Sequence, residues 1–184
     1  MQDLSLHILD ISENSIAAGA TKIKIKINED IRGNKLVLEI EDNGRGMDKE
    51  TRQKVLDPFY TTKTTETSSE AGLGIPLLAQ SAQEAEGNLK IKSKIGKGTT
   101  IIAEFVYDHL DRRPLGNMAD TMIALITGRG TDIDIVYEHC RNGDGFILDT
   151  RDIKEELQEV PINNPEVLHF LKQIITNGLK DLEK

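Results

Sequence analysis

The stretch EDNGRGM, residues 41–47, directly follows a predicted β-strand. The preceding run LVLEI (36–40) has the apolar pattern of a strand. Asp-Asn-Gly after a strand is typical of a tight turn, and a plain turn is the simplest interpretation of the stretch by itself. A turn does not require a carboxylate, two glycines two residues apart and a methionine, so the stretch is also a candidate binding site.

The residues of this stretch suit a purine ring. Asp42 ends the strand and can accept a hydrogen bond from the exocyclic amine of adenine, whereas guanine presents a carbonyl at that position. Gly44 and Gly46 lack a Cβ and therefore let the backbone approach a planar ring. Met47 offers an adaptable apolar surface to the same ring. An adenine pocket is thus the alternative to a plain turn.

A helix predicted at residues 4–18 carries the next candidates. Asp10 and Asn14 are four residues apart and share one face, and His7 lies one turn earlier. These residues are either a solvated polar face or a site in which Asn14 gives an amide oxygen to Mg²⁺, an ion that keeps mostly water and phosphate ligands. In such a site Asp10 would accept a proton from an attacking water or hydroxyl. We expect His7 to pack or hydrogen-bond near this face.

Residues 57–71 (DPFYTTKTTETSSEA) have no apolar period, and their Thr, Ser and Glu content predicts a mobile loop. The loop runs into Gly72-Leu73-Gly74 at the start of a predicted helix, where backbone N–H groups and the helix dipole can hold a phosphate. A loop-to-helix junction that needs glycine explains the same residues equally well. Lys63 can reach a phosphate across the loop, although a loop lysine is usually only solvated.

The periodicity of the chain predicts an α/β layered domain in residues 1–107, followed by a linker and an acidic α+β extension in residues 108–184. The predicted helices cover residues 4–18, 48–56, 75–84, 118–126, 152–160 and 166–182, and the predicted strands cover residues 21–28, 35–41, 88–95, 99–107, 133–139 and 146–150.

Composition and charge exclude several function classes. The net charge of the 184-residue chain is −8, with 14 basic and 16 acidic residues in 1–107 and 9 basic and 15 acidic residues in 108–184. Neither part has the cationic surface that a nucleic-acid partner needs. No apolar run reaches the roughly 18 residues of a membrane span, and the N-terminus does not fit a signal peptide. The single cysteine, Cys140, excludes an internal disulfide and fits a cytoplasmic location.

Five motifs in order resemble those of the GHKL ATPases, the family of gyrase, the heat-shock chaperone, histidine kinases and MutL. LHILDISENSIAAGATKIKI resembles the N-box, EDNGRGM the adenine-binding box and DPFYTTK the F-box of histidine kinases. AGLGIPLLAQSAQEAEG resembles the second glycine box and GKGTTI the last box. The resemblance covers about residues 4–107. It implies the Bergerat fold, a mixed β-sheet with helices on one face that holds ATP under a flexible lid, here residues 57–71.

The resemblance also implies roles for individual residues. Asn14 becomes the Mg²⁺ ligand. Asp10 takes the place of the glutamate that acts as the base in hydrolytic members of the family. Because aspartate is shorter than glutamate by about one methylene, its carboxylate is set back, which argues against efficient hydrolysis. Glu70 takes the place of the first glycine of the second glycine box. A carboxylate there disfavours phosphate binding unless the lid holds Glu70 away from the phosphates. The candidate ATP-binding residues are Asp42, Gly44, Gly46, Met47, Lys63, Gly72, Leu73, Gly74 and Thr99.

The predicted function is that of a Mg-ATP-binding regulatory protein. Because the N-box begins close to Met1, we expect no preceding phospho-acceptor domain and therefore no self-phosphorylating sensor kinase. The single-domain organisation resembles that of the small anti-sigma-factor kinases, which phosphorylate a partner protein. The chain is then either a kinase or slow ATPase, or a binding module in which ATP orders the lid and changes partner affinity with little turnover. The extension, residues 108–184, is expected to pack on the core, form a homodimer interface or dock a basic partner.

Overall fold

A computed structural model describes residues 3–57 and 74–184. The helices are α1 (Leu4–Ala17), α2 (Lys49–Lys54), α3 (Gly74–Glu84), α4 (Met118–Arg129), α5 (Thr150–Leu157) and α6 (Pro165–Leu182). The strands are β1 (Lys22–Asp30), β2 (Lys35–Asp42), β3 (Asn88–Lys94), β4 (Gly98–Val106), β5 (Asp134–Arg141) and β6 (Asp144–Asp149). Each predicted element is present, and its ends differ from the prediction by no more than three residues.

The strands form one mixed sheet in the order β3-β4-β2-β1-β5-β6. All neighbouring strands are antiparallel except β1 and β5, which are parallel. In β1, Ile25 and Ile27 are buried beneath the helices, whereas Lys24 and Lys26 lie on the open face and pair with Glu138 at 2.6 and 3.2 Å. The predicted fold, a mixed sheet with helices on one face, is confirmed.

Residues 108–184 contribute the last two strands to this same sheet, because β5 pairs with β1 and β6 with β5. Helix α4 packs against α1 and α6, and α6 covers β5 and β6. The segment before α4 is tied to the start of α1, where the backbone N–H of Leu4 donates to the carbonyl of Pro114 at 3.0 Å. The predicted division into two domains at residue 107 stays a prediction.

A buried polar cluster joins β1 to β5 at the end of β1 that is remote from EDNGRGM. His139 Nε2 lies 2.7 Å from Glu29 Oε1, and Tyr137 Oη lies 2.8 Å from His139 Nδ1. A His139 tautomer that donates to Glu29 through Nε2–H can accept from the Tyr137 hydroxyl, so every group is satisfied. Burial raises the pKa of Glu29, but the hydrogen bond from His139 and the charge of Arg141 outweigh the effect of burial and hold that pKa below its ordinary value.

Candidate functional site

A cavity of about 560 Å³ opens at the end of the sheet where EDNGRGM lies. Helices α1 and α2, the segment after β2, the β3–β4 turn and the beginnings of α3 and β4 supply its walls. This volume is typical of small-ligand pockets, which span roughly 300–1,000 Å³. The predicted site residues that line it are Asn14, Asp42, Gly46, Met47 and Thr99.

The carboxylate of Asp42 is fixed at the cavity wall by two donors. Oδ2 accepts a hydrogen bond from the Ser15 hydroxyl at 2.9 Å, and Oδ1 accepts one from the Gly44 N–H at 2.8 Å. Ser15 is buried in the sheet-facing side of α1, and its hydroxyl also lies 3.1 Å from the Ile11 carbonyl. Gly44 does not line the cavity but orients Asp42. The arrangement presents a partly exposed, negatively charged acceptor to whatever fills the cavity.

Asn43 holds the stretch against the start of β1. Its Oδ1 accepts from the N–H groups of Thr21 and Lys22, each at 2.9 Å, and its Nδ2 donates to the Thr21 hydroxyl at 2.8 Å. The backbone N–H of Arg45 donates to the Ala18 carbonyl at the end of α1 at 3.0 Å. The turn and the cavity wall are therefore one structure, and the two interpretations of the stretch do not exclude each other.

The two glycines of the stretch are required by packing within the protein. Gly46 has a φ of +66°, and a Cβ there would strike the carbonyl oxygen of Lys94. A Cβ on Gly44 would lie 3.1 Å from the carbonyl oxygen of Ala18 and the same distance from Asp42 Oδ1. The approach of these glycines to a ring stays a prediction, because the close contacts are to the end of α1 and to the β3–β4 hairpin.

Thr99 lies beside Asp42 in the sheet, where the two residues are register partners of β4 and β2. Its hydroxyl is 2.9 Å from that of Ser93, which accepts a hydrogen bond from the Met47 N–H at 2.8 Å. This chain of hydrogen bonds joins the end of the stretch to the β3–β4 hairpin. It supports the expectation that Thr99 belongs to the same end of the pocket as Asp42.

Asp10 and Asn14 do share a face of α1, as their spacing predicts. Asn14 Nδ2 donates to Asp10 Oδ2 at 3.2 Å, which leaves the Asn14 amide oxygen as an acceptor. A Cβ on Gly74 would strike Asp10 Oδ2, so this glycine allows the start of α3 to approach α1. Neither Asp10 nor Gly74 lines the cavity. Asp10 contacts Asn14, which does line the cavity, and Gly74 packs against Asp10.

His7, one turn before Asp10, is buried with 1% of its surface exposed. Neither ring nitrogen has a hydrogen-bond partner of normal geometry within residues 3–57 and 74–184. Burial lowers the pKa of His7 and outweighs the opposing effect of the nearby Gly74 backbone. The expectation that His7 packs beneath this face of α1 is confirmed.

Some predicted residues cannot be placed, and other residues enter the site unforeseen. Lys63, Gly72 and Leu73 lie outside the described residues, as does the predicted loop after Asp57. Ser15 and Arg45 also line the cavity, although no sequence pattern marked them as site residues. A serine in the otherwise apolar stripe of α1 was an available signal for Ser15, because a buried hydroxyl usually has a hydrogen-bond partner.

The described residues contain no metal cluster of three or more His, Cys, Asp or Glu side chains. Mg²⁺ does not require one, because it binds through one or two protein oxygens, water and substrate phosphates. None of the described helices is both long and apolar enough to cross a membrane.

A solved structure of similar fold is the N-terminal domain of a DNA repair protein, with a TM-score of 0.57 and 16% identity over 81% of this chain and 53% of that one. A putative sensor protein of Shewanella frigidimarina is 35% identical over 54% of this chain and 15% of its own length. The sensor protein kinase FleS of Pseudomonas aeruginosa is 37% identical over 50% of this chain and 22% of its own length. The matched segments are thus small parts of these curated relatives.

Residues 2–109 match the profile of a family described as "Histidine kinase-, DNA gyrase B-, and HSP90-like ATPase". The match spans more than half of the chain, includes every element that forms the cavity and agrees with the resemblance of the five motifs. The chain therefore belongs to this family of ATPases and contains its ATP-binding domain.

Proposed function

We propose that this protein binds Mg-ATP in the cavity beside Asp42 and uses the nucleotide to regulate a protein partner. The observation that carries the proposal is the Asp42 carboxylate, whose two oxygens are held by Ser15 and Gly44. A fixed acceptor that cannot donate favours the amine of adenine and disfavours the carbonyl of guanine. Met47 and Thr99 would then border the ring, and Gly72, Leu73, Gly74 and Lys63 would face the phosphates.

The residues near the start of α3 fit a magnesium nucleotide. Asn14 would hold the ion through its amide oxygen, which the Asp10 hydrogen bond leaves available. When bound, Mg²⁺ neutralises phosphate charge, which matters in a chain with a net charge of −8. Arg45 lines the cavity and adds a positive charge to its wall.

The proposed enzyme transfers the γ-phosphate to a partner protein or slowly to water, with Asp10 as the proton acceptor. One observation favours the alternative, a nucleotide-dependent binding module with little turnover. The Asp10 carboxylate already accepts a hydrogen bond from Asn14 and packs against Gly74, so its shorter side chain is held on the α1 surface. Both versions assume a cytoplasmic protein that acts alone or as a homodimer.

Calorimetric titration with Mg-ATP and Mg-GTP tests the pocket. We expect ATP to bind more tightly than GTP, and Asp42→Ala to lose most of the ATP affinity. Unchanged affinity in Asp42→Ala would show that the adenine site is elsewhere.

ADP release by the same samples separates the two mechanisms. Turnover that disappears in Asp10→Ala supports the enzyme. Tight binding with no ADP release supports the binding module.

A further inference from the structure

A second cavity, of about 420 Å³, lies between α5 and α6. The apolar residues that line it are four positions apart on α5, and three and four positions apart on α6. Residues at this spacing share one helix face, so each helix presents one apolar stripe to the cavity. The lining residues are Ile153 and Leu157 of α5 and Val167, Phe170, Leu171 and Ile174 of α6. None of these residues contributes to the ATP-binding cavity.

The outer side of this groove is exposed. Leu171 is buried in the core, whereas Phe170 is 60% exposed and Ile174 is 36% exposed. Among the Phe and Tyr side chains of the described residues, Phe170 alone is exposed. A helix that needed only to cover β5 and β6 would not require apolar residues on this second side.

Two carboxylates, Glu156 and Glu166, line the same groove, and neither forms an ion pair within residues 3–57 and 74–184. The neighbouring lysines are already engaged, Lys154 with Asp134 at 3.0 Å and Lys172 with Asp120 at 2.6 Å. Glu166 lies in the first turn of α6, where a negative charge favours the helix.

Glu156 has no such local benefit. It lies in the last turn of α5, where the helix dipole disfavours a negative charge. The groove is thus apolar along its length and negative at its rim.

We propose that this groove docks a basic amphipathic helix of the partner protein. Apolar side chains at i, i+3 or i+4, and i+7 of such a helix would cover Phe170 and Ile174, and its flanking Lys or Arg side chains would pair with Glu156 and Glu166. A second copy of this chain fits less well, because it would bring the same carboxylates together. The proposal rests on the proposed function only for the existence of a partner.

The test uses two synthetic 18-residue helical peptides with the same leucine stripe, one flanked by lysine and the other by glutamate. Each is titrated into the full chain without nucleotide and followed by fluorescence anisotropy. We expect the lysine peptide to bind at least about tenfold more tightly than the glutamate peptide, with an affinity that falls as salt is added. We expect Phe170→Ser and Glu156→Lys each to weaken binding by about tenfold, as for a central contact of an interface.

Two control variants match these changes elsewhere on the surface. Leu110→Ser removes an apolar side chain that is 96% exposed, and Asp111→Lys makes the same charge change on the exposed linker. Both should bind the lysine peptide as the wild type does. Circular dichroism would verify that all four variants are folded.

Three results would overturn the proposal: equal binding of the two peptides, binding of neither, or binding that survives Phe170→Ser. Self-association of the chain that Phe170→Ser abolishes would instead assign the groove to a second copy. The peptides are also titrated into Asp42→Ala. Unchanged peptide binding by Asp42→Ala would show that the groove acts independently of the nucleotide pocket. Peptide binding by a wild-type chain that does not bind Mg-ATP would retain the groove and reject the proposed nucleotide function.

Discussion

Ser15→Ala is the sharpest test of how the adenine end of the pocket works. The change removes one hydroxyl, which donates to Asp42 Oδ2 at 2.9 Å, and leaves the Gly44 N–H as the remaining donor to that carboxylate. Ser15 is only 6% exposed, so the variant keeps the surface of the cavity. Alanine is also a better helix former than serine, so α1 should not be weakened.

The expected loss follows from the type of bond. A hydrogen bond to a charged group contributes about 1.5–3 kcal/mol, and Asp42 is partly exposed, so water replaces some of the interaction. We therefore expect the loss of binding free energy to be at the lower end of this range, about 1.5 kcal/mol, which is roughly a tenfold loss of ATP affinity. Asp42→Ala removes the acceptor itself and should cost about 3 kcal/mol. In the Asp42→Ala background, Ser15→Ala should cost nothing more, because its effect acts through that carboxylate.

The assay is calorimetric titration of Mg-ATP into the wild type, both single variants and the double variant. Ser12→Ala is the matched control, because Ser12 lies on the same helix, is fully buried and has no hydrogen-bond partner for its hydroxyl within the described residues. It should leave the affinity unchanged. Equal effects of Ser12→Ala and Ser15→Ala, or additive losses in the double variant, would refute the role assigned to Ser15.

Three further predictions concern stability, measured by chemical denaturation. Glu29→Gln should lower the unfolding free energy at pH 7 by about 1 kcal/mol, since a neutral amide oxygen replaces the charged acceptor of the His139 hydrogen bond. Because the pKa of Glu29 is lowered in the fold, its contribution is present above about pH 4.3 and lost as pH falls; Glu29→Gln should therefore lose less stability on acidification than the wild type. Because burial lowers the pKa of His7, the wild type should lose stability below about pH 6.5, and His7→Leu should flatten that slope. Gly46→Ala should destabilise the protein more than Gly96→Ala does. Both glycines have a positive φ, but only Gly46 also lacks space for a Cβ. Equal losses of unfolding free energy in the two variants would contradict this prediction.

The secondary structure was predictable because burial in this chain follows local periods. Ile23, Ile25 and Ile27 alternate with lysines along β1, and each isoleucine is buried. The end of α1 was marked by Gly19, which has a φ of +80°. Such signals act over a few neighbouring residues, which is the range over which a sequence pattern specifies backbone conformation.

The membership of β5 and β6 in the same sheet was not predictable in this way. Strand β5 pairs in parallel with β1, and their register partners, such as Ile25 and Tyr137, are more than a hundred residues apart in the sequence. A run of alternating apolar residues indicates a strand but does not identify the strand with which it pairs. The linking contacts are equally non-local, as the hydrogen bond between His139 and Glu29 illustrates.

The candidate site divides in the same way between local and distant effects. Asp42 and the glycines form a contiguous motif and could be selected from the sequence. Ser15 could not be selected by spacing, because its partner Asp42 lies 27 positions away on another element. Only the rule that a buried hydroxyl needs a partner predicts that such a residue exists, and it does not identify that partner.

The packing around EDNGRGM also bears on how nucleotide affinity would arise. Asn43 fixes the stretch to β1, the Arg45 N–H fixes it to α1, and the Met47 N–H fixes it to the β3–β4 hairpin. All of these bonds are made within the protein and hold the stretch to three neighbouring elements, so little conformational entropy should be lost at the adenine end on binding. Substitutions of Asp42 or Ser15 therefore act on affinity directly. Asp10 lies beyond this ordered wall, against Gly74, where a substitution should affect the fate of the phosphate more than retention of the base.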